Sequence, residues 1–178
     1  MAIYDKTEIA LKEEFNPKSC ERRLNGETMV MHCHHYMSLC TQLADDCGMV
    51  DGKALLAESS EDVFHGILKR YYEAQGVTAL ADRIAIAEQY YAVAGLGQLK
   101  VTCAGSDSGE VELPYSHVDE GWVRKFGRRE APVNFVTQGY VAGLFAALFD
   151  ESPRPYLVLE TQSIVSGAEC SRFEVVVR

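Results

Sequence analysis

The sequence lacks most of the patterns that would assign an activity at once. It contains no His-Glu-x-x-His, no paired Cys-x-x-Cys and no Gly-x-Ser-x-Gly, which removes the common zinc and nucleophile signatures. Gly95-Leu96-Gly97 is too short for a dinucleotide fingerprint and reads as the end of the preceding helix. Positive charge is scarce: 17 Lys and Arg stand against 26 Asp and Glu, a formal net charge of -9. That balance argues against nucleic acid or an anionic membrane as partner. No charged-then-apolar leader opens the chain, because Asp5, Lys6 and Glu8 interrupt it. The six cysteines show no short disulfide-framework spacing, so free thiols in a reducing cytoplasm are expected. There is also no internal repeat, low-complexity tract or long linker. With 178 residues, 47% of them hydrophobic, the chain is expected to form one domain with a sizeable core. Residues 1–28 form a poorly defined N-terminal segment of it.

What the sequence does have is His32-Cys33-His34-His35-Tyr36, which gathers three of the five histidines around a cysteine. Cys40 and Cys47 follow at intervals of seven. Histidine and cysteine carry much of metal binding, nucleophilic attack and proton transfer near neutral pH. The pattern from Met29 to Cys47 is helical. It places Cys33, Tyr36, Leu39, Cys40, Leu43 and Cys47 on one face, with His32 beside them, His35 at the edge and His34 opposite. Two readings follow for the cluster. In one, His32, Cys33 and Tyr36 line a pocket; Cys33 is a nucleophile served by His32 or His35, or His32, His35 and Cys33 hold a metal. In the other, the cysteines are small core residues.

The rest of the chain alternates between the two periodicities. A short helix over Thr7–Phe15 and a turn at Asn25-Gly26 open it. Helices follow over Ser60–Ala74 and Thr78–Ala94. Strands over Gln98–Ala104 and Gly109–Pro114 form a hairpin. Helices over His117–Phe126 and Pro132–Phe149 precede a second hairpin, Tyr156–Ile164 and Cys170–Val177. Ala131–Phe149 carries no charge, but its Pro, Asn, Gln and Gly residues point to a buried helix rather than a membrane span. The acidic run Glu110, Glu112, Asp119, Glu120 reads as a solvated face. Gly139, Gly143 and Ala147 form a small-residue stripe suited to close helix packing, or to room for a ligand. The predicted fold class is α+β, a four-stranded antiparallel sheet of two hairpins covered by helices.

Pro132-Val133-Asn134, Gly139-Tyr140, Gly143, Glu160, Ser163, Gly167, Ser171 and Phe173 stand at the offsets of a known C-terminal pattern. Through them the chain resembles the 4-vinyl reductase (hydrocarbon-binding) domain family. That family shares its fold with subunits of the TRAPP vesicle-tethering complex and includes the sensing domains of phenol- and xylene-responsive activators. The resemblance implies that fold and an enclosed apolar small molecule. In the aromatic-sensing members, three cysteines and the glutamate of the pattern bind zinc. Here the cysteine positions are Asn134, Ser163 and Ser171, only Glu160 remains, and Cys170 is one residue early, which on a strand turns it to the opposite face. The family's zinc site is therefore expected to be absent.

The expected function is binding of a small apolar or aromatic molecule by a sensor or carrier domain, as a homodimer. The expected pocket is lined by His32, Cys33, Tyr36, Phe135, Gly139 and Tyr140; the cofactor is unknown from the sequence. One alternative is a small hydrolase using Cys33 with His32 or His35; the His-Cys-His-His-Tyr stretch weakly resembles a His/Cys-rich helix in hydrolases of cyclic sulfur-nitrogen compounds. Another is a scaffold or assembly subunit.

Overall fold

The computed structural model describes residues 8–30 and 33–178, apart from the side chain of His34. Three short strands come first: β1 (Glu13–Asn16), β2 (Glu21–Leu24) and β3 (Glu27–Met29). They form an antiparallel sheet in that order. This replaces the helix expected up to Phe15; Thr7 lies outside the described residues. The expected turn is present. Asn25 and Gly26 both have positive φ, 49° and 85°, as a two-residue hairpin loop requires. Asn25 also ties the first strand's approach down, since its side-chain oxygen accepts from Lys12 N at 2.8 Å.

Helix α1 runs His34–Asp46, starting later than expected because Met29 belongs to β3. Its orientation is the reverse of a core-facing apolar stripe. Met37, Ser38 and Thr41 are buried, whereas Tyr36, Leu39 and Leu43 are exposed. On the inward side Asp45 accepts from Arg129 at 2.6 Å and from Lys53 at 2.7 Å. Met37 then joins Val118, Trp122, Val133 and Val165 in a small second core.

Helix α2 (Gly52–Gln75) begins eight residues before the expected Ser60. Asp51 caps it, accepting from Ala54 N at 3.0 Å, and Gly76 ends it in the left-handed conformation. Ser60 is not a cap; its hydroxyl donates to Val136 O at 2.7 Å. Helix α3 spans Leu80–Val93 and α4 spans His117–Phe126. Helix α5, Phe135–Leu148, is buried along nearly its whole length. No helix among the described residues is long and apolar enough to cross a membrane.

The second sheet contains β4 (Gly97–Ala104), β5 (Ser108–Ser116), β6 (Tyr156–Gln162) and β7 (Ser171–Val177), with a 3-10 turn at Ile164–Ser166 before β7. The order is β4-β5-β7-β6. The two predicted hairpins therefore join side by side through β5 and β7, with Val111 opposite Phe173. The architecture is α+β with the expected four-stranded antiparallel sheet, to which the N-terminal three-stranded sheet is an unforeseen addition.

Alternate residues of the larger sheet, among them Val111, Leu113, Tyr156, Phe173 and Val175, face the main core beside α5. On its other side α5 packs against α2. A Cβ built on Gly139 would lie 2.0 Å from Ala57 O, and one on Gly143 would lie 2.7 Å from Glu61 O. The small-residue stripe is thus a backbone-to-backbone contact, in which the neighbouring atoms belong to a helix and cannot swing aside. Gly139→Ala is expected to destabilise the fold by about 1–3 kcal/mol, despite the higher helix propensity of alanine. Urea unfolding should show this as a lower midpoint at unchanged slope.

Candidate functional site

An open groove of about 440 Å³ lies between the start of α2, the first turns of α5 and the edge strand β6. Its volume falls within the usual range for small-molecule sites. Ala54, Ala57, Phe135, Gly139 and Ala142 supply apolar lining. Phe135 comes into place because Asn134 starts α5 one residue before it. The Lys53 ammonium sits 5.6 Å from the centre of its ring. Glu58 and Glu160 also line the groove. A second groove of about 530 Å³ separates the small sheet from α2 and α3, lined in part by Leu11, Ile67, Tyr71 and Tyr90.

The residues expected to form one pocket are distributed over three places. Phe135 and Gly139 line the groove beside β6. Tyr140 is fully enclosed in the core; its hydroxyl donates to Ala87 O at 2.6 Å, and its ring meets Phe64 and Tyr91 edge-on at 4.7 and 4.8 Å. Cys33 and Tyr36 are exposed at the start of α1, as is His35, expected only as a candidate catalytic or metal residue. His32 lies outside the described residues.

Cys33 stands at the N-cap position of α1. The backbone N–H of Tyr36, and then that of His35, hold its thiol pKa below the ordinary value, as helix N-termini do for thiolates. Iodoacetamide should therefore modify Cys33 faster at pH 7 than it modifies free N-acetylcysteine, as read by peptide mass spectrometry. An equal or slower rate would show that the helix start does not activate it.

The four pattern positions meet in a buried polar cluster at the lower end of α5. The Asn134 amide donates to Asp119 Oδ2 at 2.9 Å and to Glu160 Oε1 at 2.8 Å. Ser171 donates to Asp119 Oδ2 at 3.1 Å and accepts from Ile164 N at 2.9 Å. Ser116 donates to Asn134 Oδ1 at 3.0 Å and accepts from Asp119 N at 3.0 Å. Ser163 lies against Glu160. Cys170 sits elsewhere, beside Gln162, whose side chain donates to the Cys170 carbonyl at 3.0 Å.

Asp119 is wholly buried, which corrects its reading as part of a solvated acidic face. A signal for it was present: Ser116-x-x-Asp119 is a helix-start motif of the [ST]-x-x-[DE] type. Every side-chain donor of the cluster is oxygen or amide nitrogen. Without thiolate or imidazole it does not fit the zinc that the family pattern implies.

Burial pushes the Glu160 carboxyl up to about 7, with Asp119 adding to the rise while Ser163, Asn134 and Ser171 oppose it. Burial also raises Asp119, against the pull of Asn134, Ser116 and Ser171. A carboxyl with a raised folded-state pKa holds its proton more tightly in the folded chain. Its contribution is therefore favourable at low pH and is lost as pH rises from about 4.5 through about 7. Glu160→Gln should accordingly stabilise the protein at pH 8 by up to about 3 kcal/mol in metal-free buffer. That gain should shrink toward zero near pH 4, measured by urea unfolding at each pH.

No protein-family model and no curated protein matches the chain. Solved structures do. The chain is similar to the phenol-responsive sensory domain of the transcription activator PoxR, solved with phenol, at 17% identity and a TM-score of 0.77, covering 93% of this chain and 84% of that one. The fold is theirs in common. A vinyl-4-reductase family protein from Methanocaldococcus jannaschii aligns at 14% identity with a TM-score of 0.56, covering 84% of each chain. A trafficking protein particle complex subunit 3 from Naegleria fowleri, covalently bound to palmitic acid, aligns at 13% identity with a TM-score of 0.53, covering 81% of this chain and 91% of that one. The fold implied by the C-terminal residue pattern is thus the fold observed.

Proposed function

We propose that this chain is a sensor or carrier domain that binds a small apolar or aromatic molecule in the groove between α2, α5 and β6. The observation that carries the reading is the groove itself, lined in part by Phe135, with space of about 440 Å³. The shared fold with a phenol-responsive sensory domain supports it. Phe135 offers an aromatic ring, Ala54 and Ala57 keep the α2 wall small, and Lys53 and Glu58, which also line the groove, can orient a polar substituent. The outward apolar face of α1, with Tyr36, Leu39 and Leu43 exposed, is the surface we assign to a homodimer. A cytoplasmic location accompanies this reading on the strength of the sequence.

The hydrolase alternative draws on one observation, the lowered Cys33 pKa. The two readings separate on Cys33→Ser, which abolishes hydrolysis in one and leaves ligand binding intact in the other.

Native mass spectrometry of the protein as purified, followed by titration with phenol and cresols, tests the sensor reading. Retained or saturable ligand is expected, weakened about tenfold by Phe135→Ala and unchanged by Cys33→Ser. The same spectra report the oligomeric state. Absence of binding with every probe, together with no co-purifying mass, would favour a scaffold role instead.

A further inference from the structure

Two carboxylates share the buried cluster at the start of α5, and three of its oxygens are unsatisfied. Asp119 Oδ1, Glu160 Oε2 and Ser163 Oγ are buried and have no hydrogen-bond partner among the described residues. Asp119 is 0% and Ser163 5% exposed, so bulk water does not serve them. Unsatisfied buried oxygens are costly, and more so when they carry charge. All three belong to side chains gathered around Asn134 and Glu160.

We propose that this cluster is a binding site for a hard divalent cation of the Mg²⁺ or Ca²⁺ class, ligated by Asp119, Glu160, Ser163 and Asn134. The donor chemistry is that of such ions, which take carboxylate, amide and hydroxyl oxygens, and not that of zinc. With their protons displaced by the ion, the two carboxylates match a charge of +2. Asn134 can take part without backbone movement. A half-turn of its amide presents Oδ1 to the ion and leaves the NH₂ to donate to Ser116 Oγ, which lies 3.0 Å from the amide atom that now faces it. Glu160 also lines the groove beside β6, giving the ion an entry path and a source of water ligands.

The donor set also sets the strength. Among the described residues, no three His, Cys, Asp or Glu side chains converge on a metal position, so half of the protein ligands are neutral. Affinity is accordingly weak, with Kd on the order of 0.1–1 mM. The site stands independently of the small-molecule reading, since none of its four ligands is required to hold a ring on Phe135.

The test is calorimetric titration and thermal unfolding of the full chain, stripped with chelator, against MgCl₂, CaCl₂ and ZnCl₂. The expected result is saturable binding of Mg²⁺ or Ca²⁺ and a rise in Tm of about 3–8 °C at roughly 10 mM ion. Zinc should not compete. Asp119→Asn and Ser163→Ala should each weaken binding tenfold or more while circular dichroism stays native. Ser163→Ala alone suffices if the aspartate variant does not fold. No heat and no Tm shift with either ion would overturn the proposal. So would an equal shift in the variants, which would mark diffuse binding to a chain of net charge -9. Tight zinc binding lost on Glu160→Ala would overturn it too.

Discussion

The close approach of α5 to α2 is the contact on which the rest of the molecule depends. Gly139 and Gly143 have no side chains, so the α5 backbone lies against the carbonyls of Ala57 and Glu61. With α2 on one side and the four-stranded sheet on the other, α5 is enclosed almost everywhere. That enclosure explains why the segment carries no charge and yet is not a membrane span. It also creates the groove. The α2 positions facing the first turns of α5 are the alanines 54 and 57, and β6 is the edge of its sheet. Small side chains on one wall and a strand edge on the other leave the space that Phe135 lines.

The polar cluster closes the same end of α5. Asn134 sits at its start and reaches α4 through Asp119 and β6 through Glu160. Ser171 adds β7 and, through Ile164 N, the turn before it. One buried network therefore joins four elements from distant parts of the chain, the kind of joint that a metal makes in the related pattern. It does so with hydrogen bonds to two carboxylates, and burial keeps both of their pKa values high. Glu160 both belongs to the cluster and lines the groove.

Much of the fold was legible because periodicity and punctuation are local. Helix α4 and both hairpins could be placed from the sequence, the hairpins because turn residues stand at Gly105–Gly109 and Ser166-Gly167. Asn25-Gly26 was readable as a turn, although the three-stranded sheet around it was not, because its strands are only three or four residues long. Helix α2 starts ahead of the expected Ser60 because Asp51 caps it instead. Both residues can cap a helix, and only the partner decides: Ala54 N for one, Val136 O for the other. Of the site, Gly139, Asn134, Glu160, Ser163 and Ser171 were visible as a spaced pattern, and Phe135 as a candidate pocket residue. Asp119 was hidden in an acidic run, because burial is not a property of spacing.

By itself the sequence determined the α+β class, the order of the main elements, the close-packing glycines and the loss of thiolates at the pattern positions. These are set by side-chain periodicity, turn chemistry and residue identity, all local quantities. Only the tertiary structure decided which way α1 faces. Its apolar stripe is the stronger local signal, yet the opposite side, with Met37, Ser38 and Thr41, faces inward, where Asp45 pairs with Lys53 and Arg129. Likewise only folding separated Tyr140 from Phe135 and Gly139, and brought Asp119 beside Glu160 across 41 residues of chain. Burial and pairing are decided by what the rest of the chain places opposite each residue, and no local pattern carries that information.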